Sequence, residues 1–464
     1  MGPMLGPFPI SDVVHAMAVA LAFLLVFLSA EAWRHWGRPY PELSRKAVHF
    51  FGGLVACAFP WLFHSSVLVW LLAGGFAAAL MGTRMLGLLK SVHGVDRESL
   101  GVLYFPISVG LLFQLAHAIP VLYLVSMLTM VVADALAAVL GKAYGRTSYR
   151  VEGDWKSLEG SAAFLFATFL VVHLPLLLMT SMDRPLCVLV ALQIAVLVTC
   201  FEAISPAGLD NLVVPLGAWY LLIHLNQAYV SWMLIQLLGQ AVIILLVSWL
   251  ALHLRVFSFS AAVGLQLFFY GALSLGNPEW VLAPALAVLA YSLFAHRLGA
   301  HLDLPDSKVQ LQLLFNLTVL PALLYVLNNA WLDQHWIMRS VPVSPLFFVA
   351  YCGLLAGQAS SLLQALWRHW RKSLGWQGLA ASLLLAMAWV LPLSLWVGPG
   401  TWSASQLGWA ALFSLASGLG ASLLCRIWGA GKGSVALSRL QLAGASMGIL
   451  LIIPLYLLLP GAGR

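Results

Sequence analysis

Charge is scarce in this chain. Only 8% of its 464 residues are Asp, Glu, Lys or Arg, against 62% hydrophobic residues, and the mean hydropathy is +0.95. A soluble globule or a disordered chain needs far more polar surface, so both classes are excluded. Cysteine is sparse as well. Cys57, Cys187, Cys200, Cys352 and Cys425 are scattered through apolar runs with no CxxC pair, which argues for apolar packing over metal or redox use. No run of Lys and Arg stands on a soluble face, so nucleic acid is not an expected partner. The opening MGPMLGPFPISDVVHA lacks a basic segment and a small-residue cleavage site, so the first apolar run is expected to be retained as a helix. Acids thin out along the chain: of 16 Asp and Glu, only Asp333 lies beyond Asp306.

Apolar segments dominate what is present. From Val13 to Leu459 they recur at about 20 residues each, the length needed to cross a bilayer, and roughly sixteen are expected. They are continuous and do not alternate, so hydrocarbon burial of the backbone makes them helices. The expected fold is an all-α polytopic transmembrane bundle of about 16 helices. With the N-terminus outside and each segment crossing once, all Lys and Arg except Arg184, Arg339 and Arg464 fall on the cytoplasmic side. Both termini are then non-cytoplasmic. The net charge of +7 reads as loop orientation and contact with anionic lipid headgroups, and a bacterial inner membrane is the expected location. A boundary near Ala228 to Trp232 divides the chain into 1–228 and 229–464.

The stretch Ala133 to Ser161, ADALAAVLGKAYGRTSYRVEGDWKSLEGS, holds the densest set of ionisable residues. Asp134 closes a long apolar run, and Lys142, Arg146, Arg150 and Lys156 follow, interleaved with Glu152, Asp154 and Glu159. A carboxylate at a helix end among cations and glycines suits a magnesium nucleotide, which needs an oxygen ligand, positive charge for phosphates and close backbone approach. Three further polar segments join it. Glu42 to His49 places Arg45, Lys46 and His49 on one helical face. Arg97-Glu98-Ser99 precedes the apolar run 101–116, and Glu202 to Asn211 ends another helix. The topology brings all four to one membrane face.

ELSRKAVHFFGG, the ADALAAVLGKAYG…KSLEGS block and EAISPAGLDNLVVPLG, taken in order, resemble the polyprenol kinase family of dolichol kinases, phytol kinases and yeast-type CTP-dependent diacylglycerol kinases. The resemblance spans about Glu42 to Gly217. Many members carry Gly where this chain has Ala133. The resemblance implies transfer of the CTP γ-phosphoryl group to a membrane isoprenoid alcohol, with a divalent metal. Phosphoryl transfer rests mainly on positioning and cations. Asp134 is the first expected ligand for Mg2+ and Glu159 the second. Lys142, Lys156, Arg45 and Lys46 are expected to hold phosphates. Gly141, Gly145 and Gly160 would admit the nucleotide, and Ser157 and Asn211 complete the cofactor-binding set. His49, Glu202 and Asp210 are candidate catalytic groups near the acceptor hydroxyl. GKAYGR lacks Walker A spacing, so a P-loop is rejected.

The second half, from about Arg255, resembles the phytyl-phosphate kinase family in VFSFSAAVGLQLFFYGALSLGNPEWVLAPALAVLAYSLFAHRLG and SKVQLQLLFNL. Where that family carries acids, this chain has GLLAGQASSLLQAL around Gln358, so a non-catalytic partner domain is expected. Two other functions compete with the kinase. A phosphatidate cytidylyltransferase would also use CTP, but its acid-rich late signature is absent. A lipid transporter or flippase would explain the helix number, but not the gathering of polar motifs at one mouth.

Overall fold

The computed structural model describes residues 4–5, 8–87, 89, 101–151, 154–206, 208–225, 228–275, 278–302, 311–332, 345–371, 376–396, 402–428 and 439–448. The chain is all-α apart from two short two-stranded ribbons, and its helix number agrees with the sixteen or so expected. Among the described residues, 7 helices are long and apolar enough to cross a membrane. Together with the composition, they make this a membrane protein. The chain forms two compact units, Met1–Leu237 and Leu238–Arg464.

In the first unit, α1 (Ile10–Gly37) turns its bulky residues outward, with Leu21, Leu24, Leu25 and Leu28 all more than half exposed. Such a face fits hydrocarbon, where leucine costs nothing to expose. The helix stops at Arg38, whose left-handed φ of 44° breaks the ladder before Pro39. Helix α2 (Pro41–Cys57) begins on a proline, which suits a first turn with no partner for its N–H. A single turn, α3 (Phe59–Leu62), leads to α4 (Ser66–Met85). Asp12 is fully buried at the start of α1. It accepts from the backbone N–H of His64 at 2.9 Å and of Ser65 at 3.0 Å, and pairs with His64 Nδ1 at 2.9 Å. A buried carboxylate persists only with such partners, and here they tie the entrance of α4 to α1.

Helix α5 (Gly101–Ala116) follows, then a continuous 25-residue rod, Pro120–Tyr144. At about 1.5 Å per residue this rod exceeds the roughly 30 Å hydrocarbon core. It comprises α6 (Pro120–Leu128), a π-helical turn at Thr129–Ala133, and α7 (Asp134–Tyr144). Asp134 therefore lies within a rod, where the sequence suggested a helix end. The connection that follows is a hairpin, not an open loop. Strand β1 (Ser148–Val151) pairs antiparallel with β2 (Asp154–Ser157), setting Tyr149 opposite Lys156 and Arg150 opposite Trp155. Strand alternation sends Tyr149 and Val151 inward and leaves Arg150 exposed. Helices α8 (Leu158–Met179), α9 (Arg184–Ile204) and α10 (Asp210–Leu225) complete the unit.

The second unit packs around Trp280, Phe348, Tyr351 and Phe413, all fully buried. The Tyr351 hydroxyl donates to the Trp280 carbonyl at 2.7 Å, so this aromatic core leaves the phenol satisfied. Helices Phe259–Leu275 and Pro345–Arg371 supply the largest shares of the unit's described core.

Candidate active site

Helix α2 supplies three groups to the centre of the first unit. Lys46, Arg45 and His49 fall on one face, as their spacing requires. Lys46 Nζ donates to Asp134 Oδ2 at 2.5 Å, with both residues buried. His49 Nε2 lies 3.6 Å from the same oxygen and 3.4 Å from the Met130 carbonyl, with its ring edge-on to Phe105. Arg45 forks onto Glu42, Nη2 to Oε1 at 2.6 Å and Nε to Oε2 at 3.2 Å, within electrostatic reach of Asp134 and Asp210.

The close approach of α2 to the π-helical turn depends on Gly53. A Cβ there would lie 2.2 Å from Val131 Cγ2, so any side chain would push the two elements apart. Gly53 stands one turn beyond His49, on the helix that delivers Lys46 to Asp134. It went unassigned at the sequence level, although the Gly-Gly pair closing ELSRKAVHFFGG was its signal.

The hairpin supplies a second buried pair. Lys156 Nζ donates to Glu202 Oε1 at 2.7 Å and also to the Glu202 carbonyl. Burial opposes the charge on Lys156, but the Glu202 carboxylate beside it, helped by Asp210, outweighs this and raises its pKa above the ordinary value. Glu202 Oε2 is buried and has no hydrogen-bond partner among the described residues. Glu202 lies within electrostatic reach of Asp134 and Asp210. Tyr149, absent from the sequence-based candidates, borders the pair: its hydroxyl meets Ser161 Oγ at 2.8 Å, and burial pushes the phenol up to about 12. Hairpin alternation was the only signal that could have found it.

The remaining candidates divide. Gly141 and Gly160 face each other where α7 crosses α8: a Cβ on Gly141 would lie 3.1 Å from the Gly160 Cα. They allow helix contact, as small residues do between membrane helices. A Cβ on Gly145 would lie 2.9 Å from Ser157 Oγ, so that glycine also serves close packing. The Ser157 hydroxyl caps α8 by accepting from Gly160 N–H at 3.1 Å. Asn211 is buried and reaches the Gly101 carbonyl with Nδ2 at 3.4 Å, tying α10 to α5. Lys142 is exposed, its ammonium 4.5 Å over the Tyr40 ring, outside the buried cluster.

Glu159, the second expected magnesium ligand, lies away from Asp134. Its carboxylate accepts from Thr147 N–H at 3.2 and 3.3 Å, beyond the C-terminal end of α7, while Asp134 opens that helix. The intervening 11 residues span about 16 Å at the usual rise, so the two acids do not converge. Antiparallel packing of α7 and α8 is the reason. The segment Arg97-Glu98-Ser99 lies outside the described residues. Among those described, no cluster of three His, Cys, Asp or Glu side chains has the geometry to hold a metal alone.

The cluster thus comprises Asp134, Glu202 and Asp210 with Lys46, Arg45, Lys156 and His49, drawn from α2, α7, the hairpin, α9 and α10. Its buried pairs are held in low dielectric, where removing one partner leaves an uncompensated charge at a cost of about 3–5 kcal/mol.

The sequence is 35% identical to the phytol kinase of Synechocystis sp. (strain ATCC 27184 / PCC 6803 / Kazusa) over 210 residues, which covers 44% of this chain and 88% of that protein. No family model and no solved structure matches the chain.

Proposed function

The chain belongs to the phytol kinase family, and from that premise we propose that its first unit transfers the γ-phosphoryl group of CTP to the hydroxyl of a membrane isoprenoid alcohol, giving the lipid monophosphate. The observation that carries this reading is the pair of buried lysine–carboxylate contacts, Lys46 with Asp134 and Lys156 with Glu202. They place mobile cations and oxygen ligands together, as a phosphoryl-transfer site requires.

Lys46 and Lys156 are long, flexible donors that can turn from carboxylate to phosphate, and Arg45 approaches from the same face as Lys46. Of the three candidate bases, His49 and Asp210 stay available to take the hydroxyl proton, and Glu202 goes to the metal. The orphaned Oε2 of Glu202 and the Asp134 carboxylate fit a magnesium ion, which is commonly held by one or two carboxylates with waters and substrate phosphates. We assign the two ligand roles to Asp134 and Glu202, with Glu159 kept to its bond with Thr147. When bound, the ion would neutralise charge on the phosphate oxygens. The Lys and Arg distribution supports a site on the cytoplasmic side. The second unit has no catalytic part in this reading.

The test uses purified full-length protein with CTP labelled at the γ-phosphate and, in turn, phytol, farnesol, a long polyprenol and diacylglycerol. Label in a lipid monophosphate is the expected result. Release of labelled pyrophosphate would make the protein a cytidylyltransferase, and neither product would point to transport. Running ATP in parallel decides the donor.

A further inference from the structure

Helices α2 and α7 run antiparallel and meet through side chains at two levels. The inner level is the buried Lys46–Asp134 pair at 2.5 Å. At the outer level the helices exchange roles: α7 supplies the cation, Lys142, whose Nζ lies 4.5 Å from the centre of the Tyr40 ring at the N-cap of α2. Tyr40 stands six residues before Lys46, and Lys142 eight residues after Asp134, so both helices set the outer contact about 9 to 12 Å from the inner one.

The Lys142 ammonium covers one face of the Tyr40 ring, and the residue is nonetheless 70% exposed. A ring held on one side by a cation and open on the other is a flat apolar surface fixed beside a charge cluster. Exposed aromatics at a membrane edge commonly anchor in headgroups, and Trp33 and Trp36 of α1 suit that role. Tyr40 differs because its cation comes from the helix that carries Asp134. Trp155 is exposed as well, but strand alternation turns it to the face of the hairpin opposite Lys156. Between the two levels α2 carries Arg45 paired with Glu42, so that stretch of the helix has no net charge to repel an anion.

A nucleoside triphosphate has the matching layout, with a flat base at one end, phosphates at the other and a ribose between. We propose that Tyr40, held by Lys142, is the platform on which the base of the phosphoryl donor stacks, with the phosphates running along α2 and α7 to Lys46. That the nucleotide is a phosphoryl donor rests on the kinase reading; the spacing of an aromatic platform from a buried cation does not. Every base presents a π face, so stacking of this kind is tolerant of base identity. The platform therefore contributes affinity for the nucleotide and leaves any choice of cytosine over adenine to groups that meet the base edge.

Equilibrium dialysis of full-length protein with Mg2+ tests this with two probes: β,γ-methylene-CTP, which cannot pass on its phosphate, and inorganic tripolyphosphate, which lacks a base. Tyr40→Ala should weaken the CTP analogue about tenfold, toward the low end of removing a stacking ring, and leave tripolyphosphate within about twofold. Tyr40→Phe keeps the ring and should bind both probes as the wild type does. Lys142→Met should weaken the CTP analogue about threefold by freeing the ring, and should add nothing to Tyr40→Ala. It also gives the readout alone should Tyr40→Ala fail to elute as monodisperse protein. No binding of the CTP analogue by the wild type, unchanged affinity in Tyr40→Ala, an equal loss for tripolyphosphate, or a Tyr40→Phe variant as weak as Tyr40→Ala would each overturn the proposal. Unchanged affinity with a lower melting temperature would make Tyr40 a headgroup anchor instead. The kinase reading fails separately. Analogue binding that is lost in Tyr40→Ala, in a protein whose wild type phosphorylates no alcohol, keeps the platform and removes the kinase; transfer at limiting CTP that is indifferent to Tyr40→Ala does the opposite.

Discussion

The two units handle buried polarity in opposite ways. The first buries ionisable side chains, Asp12, Lys46, Asp134 and Glu202, and gives each an ionic partner or backbone donors. In the second, the buried polar side chains among the described residues are uncharged, as with Asn316, Gln358, Gln364, Ser414 and Ser417. Both sit in a membrane protein, where ionised groups cost several kcal/mol more than amides or hydroxyls. The difference teaches where charge is worth its cost: beside the phosphoryl transfer proposed for the first unit, and not in an interior that only has to pack.

The sharpest way to break this contrast is Asp134→Asn. Transfer should fall by at least about 1000-fold, the scale of removing a main electrostatic contributor. Lys46 would also be left buried without its ion partner, so thermal stability should drop. Asp134→Asn combined with Lys46→Met should restore stability without restoring turnover. Recovery of both would reduce the pair to packing.

Lys156→Met should lower transfer about 100-fold, mostly as weaker nucleotide binding, read by titration of the nucleotide. The pH dependence carries a sign. A base whose pKa is raised keeps its contribution at every pH below its unfolded value and loses it only as pH climbs through the folded one, here above 10.5. Activity should therefore show no ionisation belonging to Lys156 between about pH 7 and about pH 9. A step in that window that disappears in Lys156→Met would contradict the assignment.

Gly53→Ala should cost about tenfold in transfer by forcing α2 off the π-helical turn, a typical effect of misplacing a site by a fraction of an ångström. Val131→Ala removes the atom a new Cβ would strike, so the double variant should regain most of the activity. Failure of that rescue would mean the glycine serves something other than close approach. The smallest effect belongs to Glu159→Gln. With its carboxylate on Thr147, transfer should change by less than about threefold, whereas a loss matching Asp134→Asn would return Glu159 to the metal.

The helical class was legible in the sequence because apolar length fixes spans, and the basic bias was enough to expect Lys46, Asp134, Lys156 and Glu202 on a common face. Pairing within the cluster was not legible. Asp134 and Glu159 look like neighbours in a 26-residue stretch, but antiparallel packing of α7 on α8 carries them to opposite ends of a helix. Gly141, Gly145 and Gly160 read as room for a nucleotide because glycine has one sequence signature for two uses, and the structure spends them on contact between elements. Tyr149 was hidden because four-residue strands have too little alternation to be noticed beside long apolar runs.

The π-helical turn at Thr129–Ala133 holds one more residue than the α-turn it replaces. Deleting one residue inside it would let the rod run as plain α-helix with Asp134 close to its present azimuth. Each residue of an α-helix advances the azimuth by about 100°, so the same deletion within Pro120–Leu128 would turn Asp134 relative to the start of the rod by roughly that angle. No charge would be lost in either case. The wide turn thus absorbs a residue that its α-helical neighbours could not lose without a change of phase.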